Sequence, residues 1–158
     1  MQSHQQSPTI PQLEISNDIL FVDEAILVHD KVFGIQDEHL LYNNKDEWLK
    51  RIREGGYFIV VTANQVVKGF AVCDITQQND FKIWLTGVDK DTRGQGIWSK
   101  MYKDIVKHAK KKGYKYILIN TFPKKFPMMF SFLQKVNAEI YKQENILGFD
   151  KVYTKIMI

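Results

Sequence analysis

One segment, residues 85–100, passes from an apolar run through a glycine-containing loop into a helical pattern, and this order strongly constrains the fold. The first amides of a helix lack partners within the helix, and the helix dipole also favours an anion there. Gly94 and Gly96 remove side chains that would keep a phosphate from those amides. Arg93 and Lys100 add positive charge. The segment therefore predicts a strand, an anion-binding loop and a helix.

Other interpretations of this segment fit its residues less well. A Walker-type phosphate loop needs a lysine and a hydroxyl residue in a spacing that the segment lacks. The dinucleotide fingerprint fails because only one spaced pair of glycines is present. A plain strand-to-helix turn, with Arg93 paired to Asp89 or Asp91 at the surface, stays open as an alternative.

Hydrophobic periodicity along the chain predicts a mixed sheet with helices on its faces. Strand patterns occupy residues 13–21, 57–63, 66–75, 81–88, 116–121, 138–143 and 151–158. Helical patterns occupy residues 24–33, the segment after Asn44 up to Gly55, the segment from Ile97 to Gly113, and 128–136.

Local signals sharpen these boundaries. Asn44 and Glu47 have the spacing of a capping box, which predicts a helix start. Asn64 and Gln65 separate two strand patterns and predict a hairpin turn. Gly87 interrupts the strand before the anion-binding loop, and a glycine there indicates a bulge or the close approach of a ligand.

Composition places the chain among folded proteins. Its 158 residues are 44% hydrophobic and 25% charged, which suits one packed domain, predicted over residues 13–158 after a loose tail at 1–12. The sequence shows no secretory signal and no apolar stretch of about 20 residues, so we expect a cytoplasmic protein without a membrane segment. Cys73, the only cysteine, lies in an apolar run and is predicted to be a buried, inert thiol.

The loop at residues 93–98 resembles the acyl-CoA signature of the GNAT superfamily of N-acyltransferases, which reads Arg or Gln, two residues, Gly, one residue, then Gly or Ala. Arg93, Gly94, Gln95, Gly96 and Ile97 match it, and Trp98 replaces the last small residue. The resemblance covers residues 57–141 clearly. It implies an α/β (α+β) fold, with a mixed, mostly antiparallel central sheet of six to seven strands flanked by helices.

The same resemblance implies a cofactor, acetyl-CoA or another acyl-CoA, and a set of residues that bind it. In such proteins the strand before the loop is bulged and splays from the strand after the helix, and the pantetheine arm lies in the gap. The backbone amide of Val88 would then face the thioester or the pantetheine, and at the thioester it would stabilise the oxyanion. The implied cofactor-binding residues are Val88, Arg93, Gly94, Gln95, Gly96, Ile97, Trp98, Ser99, Lys100, Asn120 and Lys125.

Catalytic acid and base residues are harder to assign. Family members often carry a glutamate base on the bulged strand and a tyrosine acid after the next strand, but Lys82 and Leu133 occupy those positions here. Asp80 and Asp74 are the nearby carboxylates that could act as a base, and Tyr141 is a candidate proton donor. The histidines at 29, 39 and 108 also suit a base, although His108 is expected at the surface; no metal site is predicted.

The resemblance implies an N-acetyltransferase that would transfer an acetyl group from acetyl-CoA to a primary amine of a small molecule or peptide. The missing glutamate and tyrosine leave a non-catalytic acyl-CoA-binding or sensing domain as an alternative. The net charge of +4 and the lysines between 107 and 125 also permit a nucleic-acid-binding module, although a solvated helix face is the simpler interpretation. The oligomeric state is open, a homodimer included.

Overall fold

The structure is a computed structural model that describes residues 12–34 and 42–158. In these ranges the strands are β1 (Leu13–Ser16), β2 (Tyr57–Ala63), β3 (Val66–Ile75), β4 (Phe81–Val88), β5 (Tyr116–Thr121), β6 (Glu139–Ile146) and β7 (Phe149–Met157). The α-helices are α1 (Val22–Phe33), α2 (Lys45–Arg53), α3 (Ile97–Lys111) and α4 (Pro127–Lys135).

All seven of these strands form one sheet, in the order β1-β2-β3-β4-β5-β7-β6. Only β4 and β5 run parallel, and they pair at just two positions, Lys82 with Leu118 and Ile83 with Ile119. Beyond Ile83 the two strands separate. The mixed, mostly antiparallel sheet and the splayed pair of strands are both confirmed.

Each face of the sheet packs against helices and forms its own core cluster. On one face, Ile97, Met101 and Ile105 of α3 are buried against β2 to β5, because their spacing of four residues lines one side of the helix. On the other face, Trp48 of α2 and Phe70 of β3 stack with ring centroids 5.2 Å apart. Both faces of β4 are therefore covered by helices, and the sheet opens where β4 separates from β5.

The predicted local signals at two turns are confirmed. Asn44 caps α2, since its side chain accepts a hydrogen bond of 3.1 Å from the Glu47 amide. Asn64 and Gln65 have positive φ angles of 51° and 66°, which suit a tight hairpin turn between β2 and β3. None of the helices in the described ranges is long and apolar enough to cross a membrane.

Two predictions about strands are wrong. The first strand ends at Ser16 and not at Phe21, because the Asp18 side chain accepts from the Leu20 amide (2.9 Å) and starts a short 3-10 helix at Ile19–Phe21. The bulge of β4 is not at Gly87. The register against β3 moves from Leu85 to Ile83 in one step, which leaves Trp84 as the extra residue.

Gly87 has a packing role instead. It pairs in register with Phe70, and a Cβ atom at Gly87 would lie 2.9 Å from the Phe70 ring. A side chain there would displace the aromatic core under β4. The bulge at Trp84 falls where β4 leaves β5, and so it accounts for the opening of the sheet.

Candidate active site

A cleft of about 640 Å³ opens between the separated ends of β4 and β5. The C-terminal half of α1 closes one side, the start of α3 lies at one end, and α4 lies opposite. The bulge at Trp84 and the two-residue pairing of β4 with β5 create this space, which a regular parallel pair would fill.

The loop before α3 keeps backbone amides free at the edge of the cleft. Gly94 and Gly96 have φ angles of 86° and 75°, which favour glycine, and open space surrounds the position of a Cβ at each. Gly96 is the N-cap of α3 and offers no side chain to its amides. The first helical bond runs from the Lys100 amide to the Gly96 carbonyl (3.0 Å), so the amides of residues 97–99 have no helical partner.

Asp89 holds this loop in place. Its carboxylate accepts from the Asp91 amide (3.2 Å) and pairs with Lys31 of α1 (3.1 Å). Its carbonyl accepts from the Thr92 hydroxyl (2.9 Å). Burial alone would raise the pKa of Asp89, but the Asp91 amide and Lys31 outweigh it and lower the pKa. Asp89 is therefore bound to Lys31 and not to Arg93, which removes one of the two ion pairs that the plain-turn alternative allowed for Arg93.

The amide of Val88 is directed into the cleft. The Asp89 amide donates to the Lys68 carbonyl (2.7 Å), and hydrogen-bonded and non-hydrogen-bonded pairs alternate along antiparallel strands. The next pair, Gly69 with Val88, is therefore not hydrogen-bonded, and the Val88 amide points away from β3. Because β5 has already separated at this level, the amide faces the gap.

Two buried polar atoms in the cleft have no hydrogen-bond partner among the described residues. They are Oδ1 of Asn120, at the end of β5, and Nε1 of Trp98, in the first turn of α3. The Trp98 ring packs edge-on against Phe132 of α4, with centroids 5.2 Å apart, so it lies along the cleft wall. The cleft wall thus contains one acceptor and one donor that have no hydrogen-bond partner among the described residues.

Most of the predicted cofactor-binding residues come together in this cleft. Those that line it are Val88, Arg93, Gly94, Gly96, Ile97, Trp98, Ser99, Asn120 and Lys125. Gln95 and Lys100 belong to the same loop and helix start but do not line the cleft.

The catalytic candidates Asp80 and Tyr141 do not lie with them. Asp80 stands in the turn before β4 and accepts a hydrogen bond from the Tyr116 hydroxyl (2.9 Å). Tyr141 lies on the outer strand β6 and is 48% exposed. Burial, and next the charge of Asp80, raise the pKa of Tyr141. Neither side chain lines the cleft, so its geometry gives neither a role at the thioester.

The histidines have different positions. His29 of α1 is buried, lines the cleft, and lies 4.8 Å from the Phe33 ring between centroids. His108, which was predicted to lie at the surface, is instead half-buried. Its ring stacks on Tyr57 with centroids 3.8 Å apart, and burial lowers its pKa. His39 lies outside the described residues. Cys73 is buried as predicted, and burial raises the pKa of its thiol.

Three residues of the cleft lining were not predicted as site residues from the sequence. They are Lys82 and Trp84 of β4 and Lys151 of β7, and the Arg51 guanidinium lies 3.8 Å above the Trp84 ring. Lys82 occupies the expected glutamate position, and Leu133, at the expected tyrosine position, is buried in the core. The position of Lys151 depends on β7 lying next to β5, which periodicity along the chain does not reveal.

Solved structures share this fold. The ribosomal-protein-S18-alanine N-acetyltransferase of Escherichia coli superposes with a TM-score of 0.78 at 11% identity, over 93% of this chain and 94% of that one. The PaiA N-acetyltransferase of Thermoplasma acidophilum, in complex with coenzyme A, gives 0.75 at 18%, over 93% and 99%. The yncA protein of Salmonella typhimurium, with acetyl-CoA, gives 0.69 at 13%, over 92% and 93%.

No curated protein matches the sequence significantly. The acetyltransferase (GNAT) family matches residues 23–129, which include β2 to β5, the glycine loop, α3 and the start of α4. This match spans more than half of the chain and contains the strand, loop and helix that build the cleft. The chain therefore belongs to the GNAT acetyltransferase family.

Proposed function

We propose that this protein is an N-acetyltransferase that transfers an acetyl group from acetyl-CoA to a primary amine. The proposal depends on one observation: a single cleft joins the free amides at the start of α3 to the inward-facing amide of Val88. The first group suits a pyrophosphate and the second a developing oxyanion. Two proteins of the same fold are known with coenzyme A or acetyl-CoA, which supports this choice of cofactor.

The residues along the cleft fit the parts of an acyl-CoA in order. The open positions at Gly94 and Gly96 leave room for phosphate oxygens, and Arg93 supplies a positive charge beside them. The unpartnered Oδ1 of Asn120 and Nε1 of Trp98 suit the amides of a pantetheine arm. Lys125, which lies 4.4 Å from the Phe149 ring, adds a second cation for phosphate groups.

The chemistry needs a neutral amine and a stabilised oxyanion. Acetyl-CoA, when bound, supplies an electrophilic thioester carbonyl. The Val88 amide would donate to the carbonyl oxygen as negative charge develops on it. Since Leu133 offers no proton, the thiolate would leave unassisted, which is feasible because a thiol has a pKa of about 8.5. We propose His29, or water, as the acceptor of the amine proton.

Calorimetry with coenzyme A and thiol release from acetyl-CoA test the proposal on the full chain. We expect binding with a Kd below about 1 mM and thiol release with at least one member of a panel of amines, peptides and polyamines. His29→Gln should lower kcat and change its pH profile while coenzyme A binding stays the same. Absence of coenzyme A binding by the parent protein would overturn the proposal.

A non-catalytic acyl-CoA sensor is the second candidate, and Lys82 and Leu133 at the expected base and acid positions favour it. The same two measurements distinguish the candidates. A sensor would bind acetyl-CoA as tightly as the enzyme but release no thiol with any member of the panel.

A further inference from the structure

Two lysines of the cleft, Lys82 of β4 and Lys151 of β7, lie on the same face of the sheet. Lys82 pairs with Leu118 of β5, and Leu118 pairs on its other side with Lys155 of β7, so all three side chains share one face of the sheet. Lys151, four residues before Lys155, lies on that same face. Both Lys82 and Lys151 are half-buried and line the cleft from opposite sides of β5.

The carboxylates nearest to these lysines each have another cationic partner, and they also interact electrostatically with the lysines, Asp74 with Lys82 and Glu144 with Lys151. Asp74, which faces Lys82 across the strands, is hydrogen-bonded to Arg51. Glu144, which faces Lys151, accepts from the Tyr153 hydroxyl and pairs with Lys142 at 3.7 Å. Within residues 12–34 and 42–158, the Lys82 and Lys151 ammonium groups form no ion pair.

All the described side chains of the cleft lining that carry a full charge are positive. In the part of the chain that the structure describes, no aspartate or glutamate lines it, whereas Lys82, Arg93, Lys125 and Lys151 do. Arg93 lies with the phosphate-binding amides and Lys125 beside α4, so the cofactor's own phosphates would use that end. Lys82 lies on the other side of the cleft, and Lys151, which contacts the Phe122 ring as Lys125 does, adds its charge to that of Lys82 from across β5. The charge of this pair is proposed to serve another ligand.

We propose that the acetyl acceptor is a primary amine whose molecule also carries a carboxylate, as an amino acid does, and that Lys82 and Lys151 bind this carboxylate. This inference rests on the proposed function and names the substrate class for it. The aromatic ring of Trp84, which lies between α2 and the cleft, would cover the remainder of such a molecule. Polycationic amines would be repelled by the same two lysines.

Charge near the amine also serves the reaction. Burial lowers the pKa of Lys82, and Lys151 and Arg51 lower it further, while Asp74 opposes them. The same positive surroundings favour the neutral form of an acceptor amine, because a nearby like charge disfavours protonation. A cleft with no carboxylate base among its described residues would thus still help the amine to lose its proton.

Matched acceptors test the proposal. Thiol release from acetyl-CoA is measured with the common amino acids, with their amides, with a dipeptide and its amide, and with spermidine. The amide has the less basic amine, so intrinsic reactivity alone would favour it over the acid. We expect kcat/KM to be at least about tenfold higher for the best acid than for its amide. This is the fold-change expected when one hydrogen bond to a charged group is lost. The dipeptide pair shows whether a peptide terminus serves as well.

Substitutions assign this preference to the two lysines. Lys82→Met and Lys151→Met keep the aliphatic stem, and each should lower the acid-to-amide ratio about tenfold. Lys82→Arg should retain the ratio, and Lys110→Met, on the exposed side of α3, is the matched control. Coenzyme A binding and thermal unfolding, measured on each variant, show that the fold and the cofactor end are intact.

The outcomes separate this inference from the proposed function. Preference for amides or spermidine, or a ratio unchanged in both methionine variants, would overturn the inference while leaving an active acetyltransferase. If no amine reacts, the panel is titrated by calorimetry into protein saturated with coenzyme A. Binding of an acid that Lys82→Met weakens supports the carboxylate site, and absence of any such binding refutes it.

Discussion

Two parts of the cleft lining are built in different ways. At the α3 end the groups proposed to bind the cofactor are backbone amides, exposed because Gly94 and Gly96 have no side chains and positive φ angles. The groups proposed to bind the acceptor are side chains, Lys82 and Lys151, which come from strands separated by β5. The first part is local in the sequence, and the second depends on the order of strands in the sheet.

This difference explains why the two parts carry different information about function. A backbone site tolerates many side-chain changes around it, so it suits a cofactor that a whole family shares. A site of side chains changes with single substitutions, so it suits the acceptor, which differs between enzymes. Substitutions in the first part should alter cofactor affinity, and those in the second should alter the choice of acceptor.

The largest effect is expected from Gly96→Glu. A carboxylate would project into the open space where phosphate oxygens are proposed to bind. Loss of charge-assisted hydrogen bonds and added repulsion should weaken coenzyme A binding at least about 100-fold by calorimetry.

Gly148→Glu is the matched control for this change. Gly148 has a φ of 86° and open space around it, like Gly96, but it lies in the turn between β6 and β7. Both variants should lose about 1–2 kcal/mol of stability from the left-handed conformation. Equal coenzyme A binding by the two variants would show that the glycine loop does not hold the phosphates.

Gly69→Ala, in β3 beneath α3, tests whether coenzyme A affinity depends on the packing of α3 or on the amides of the glycine loop. Its Cβ would lie 2.6 Å from Cγ2 of Ile97 and 3.2 Å from Cε of Met101, so α3 must shift away from β3. Overpacking of this kind should lower the free energy of unfolding by about 1–3 kcal/mol, measured in urea. The folded fraction should still bind coenzyme A; a loss as large as that of Gly96→Glu would mean that packing and not the amides governs affinity.

These glycines also show how far the sequence predicts the molecule. The strand-to-helix order around Gly96, the hairpin at Asn64 and the cap at Asn44 are local patterns, and all three are predicted correctly. The bulge is misplaced because Gly87 is required by the Phe70 ring, a residue seventeen positions away that only the pairing of β3 with β4 brings close. Lys151 is missed for the same reason, since β7 reaches β5 only through the sheet order.

Asn120→Leu should separate affinity from stability. Oδ1 of Asn120 is buried without a partner, so an apolar side chain should leave the free energy of unfolding unchanged or raise it by about 1 kcal/mol. Coenzyme A binding should fall about fivefold to tenfold through the lost hydrogen bond. Asn145→Leu is the matched control, because it loses hydrogen bonds to Asp150 (3.2 Å) and Gly148 (3.1 Å) in a distant turn. It should lower the free energy of unfolding and leave coenzyme A binding unchanged. Unchanged affinity in Asn120→Leu would exclude Asn120 from the cofactor site.

Lys31→Met should have the smallest effect, because it acts on the α3 end only through Asp89. The Lys31 side chain is 64% exposed, so its pair with Asp89 should contribute less than about 1 kcal/mol to stability. Lys31 helps to lower the pKa of Asp89 in the folded protein, and a lowered carboxyl pKa adds stability above the ordinary value of about 3.9. The difference between parent and variant should therefore be constant from pH 7 to about 5 and shrink as the pH falls below 4. Urea unfolding at several pH values measures it; a difference that grows on acidification would mean that Lys31 stabilises the loop by packing and not by charge.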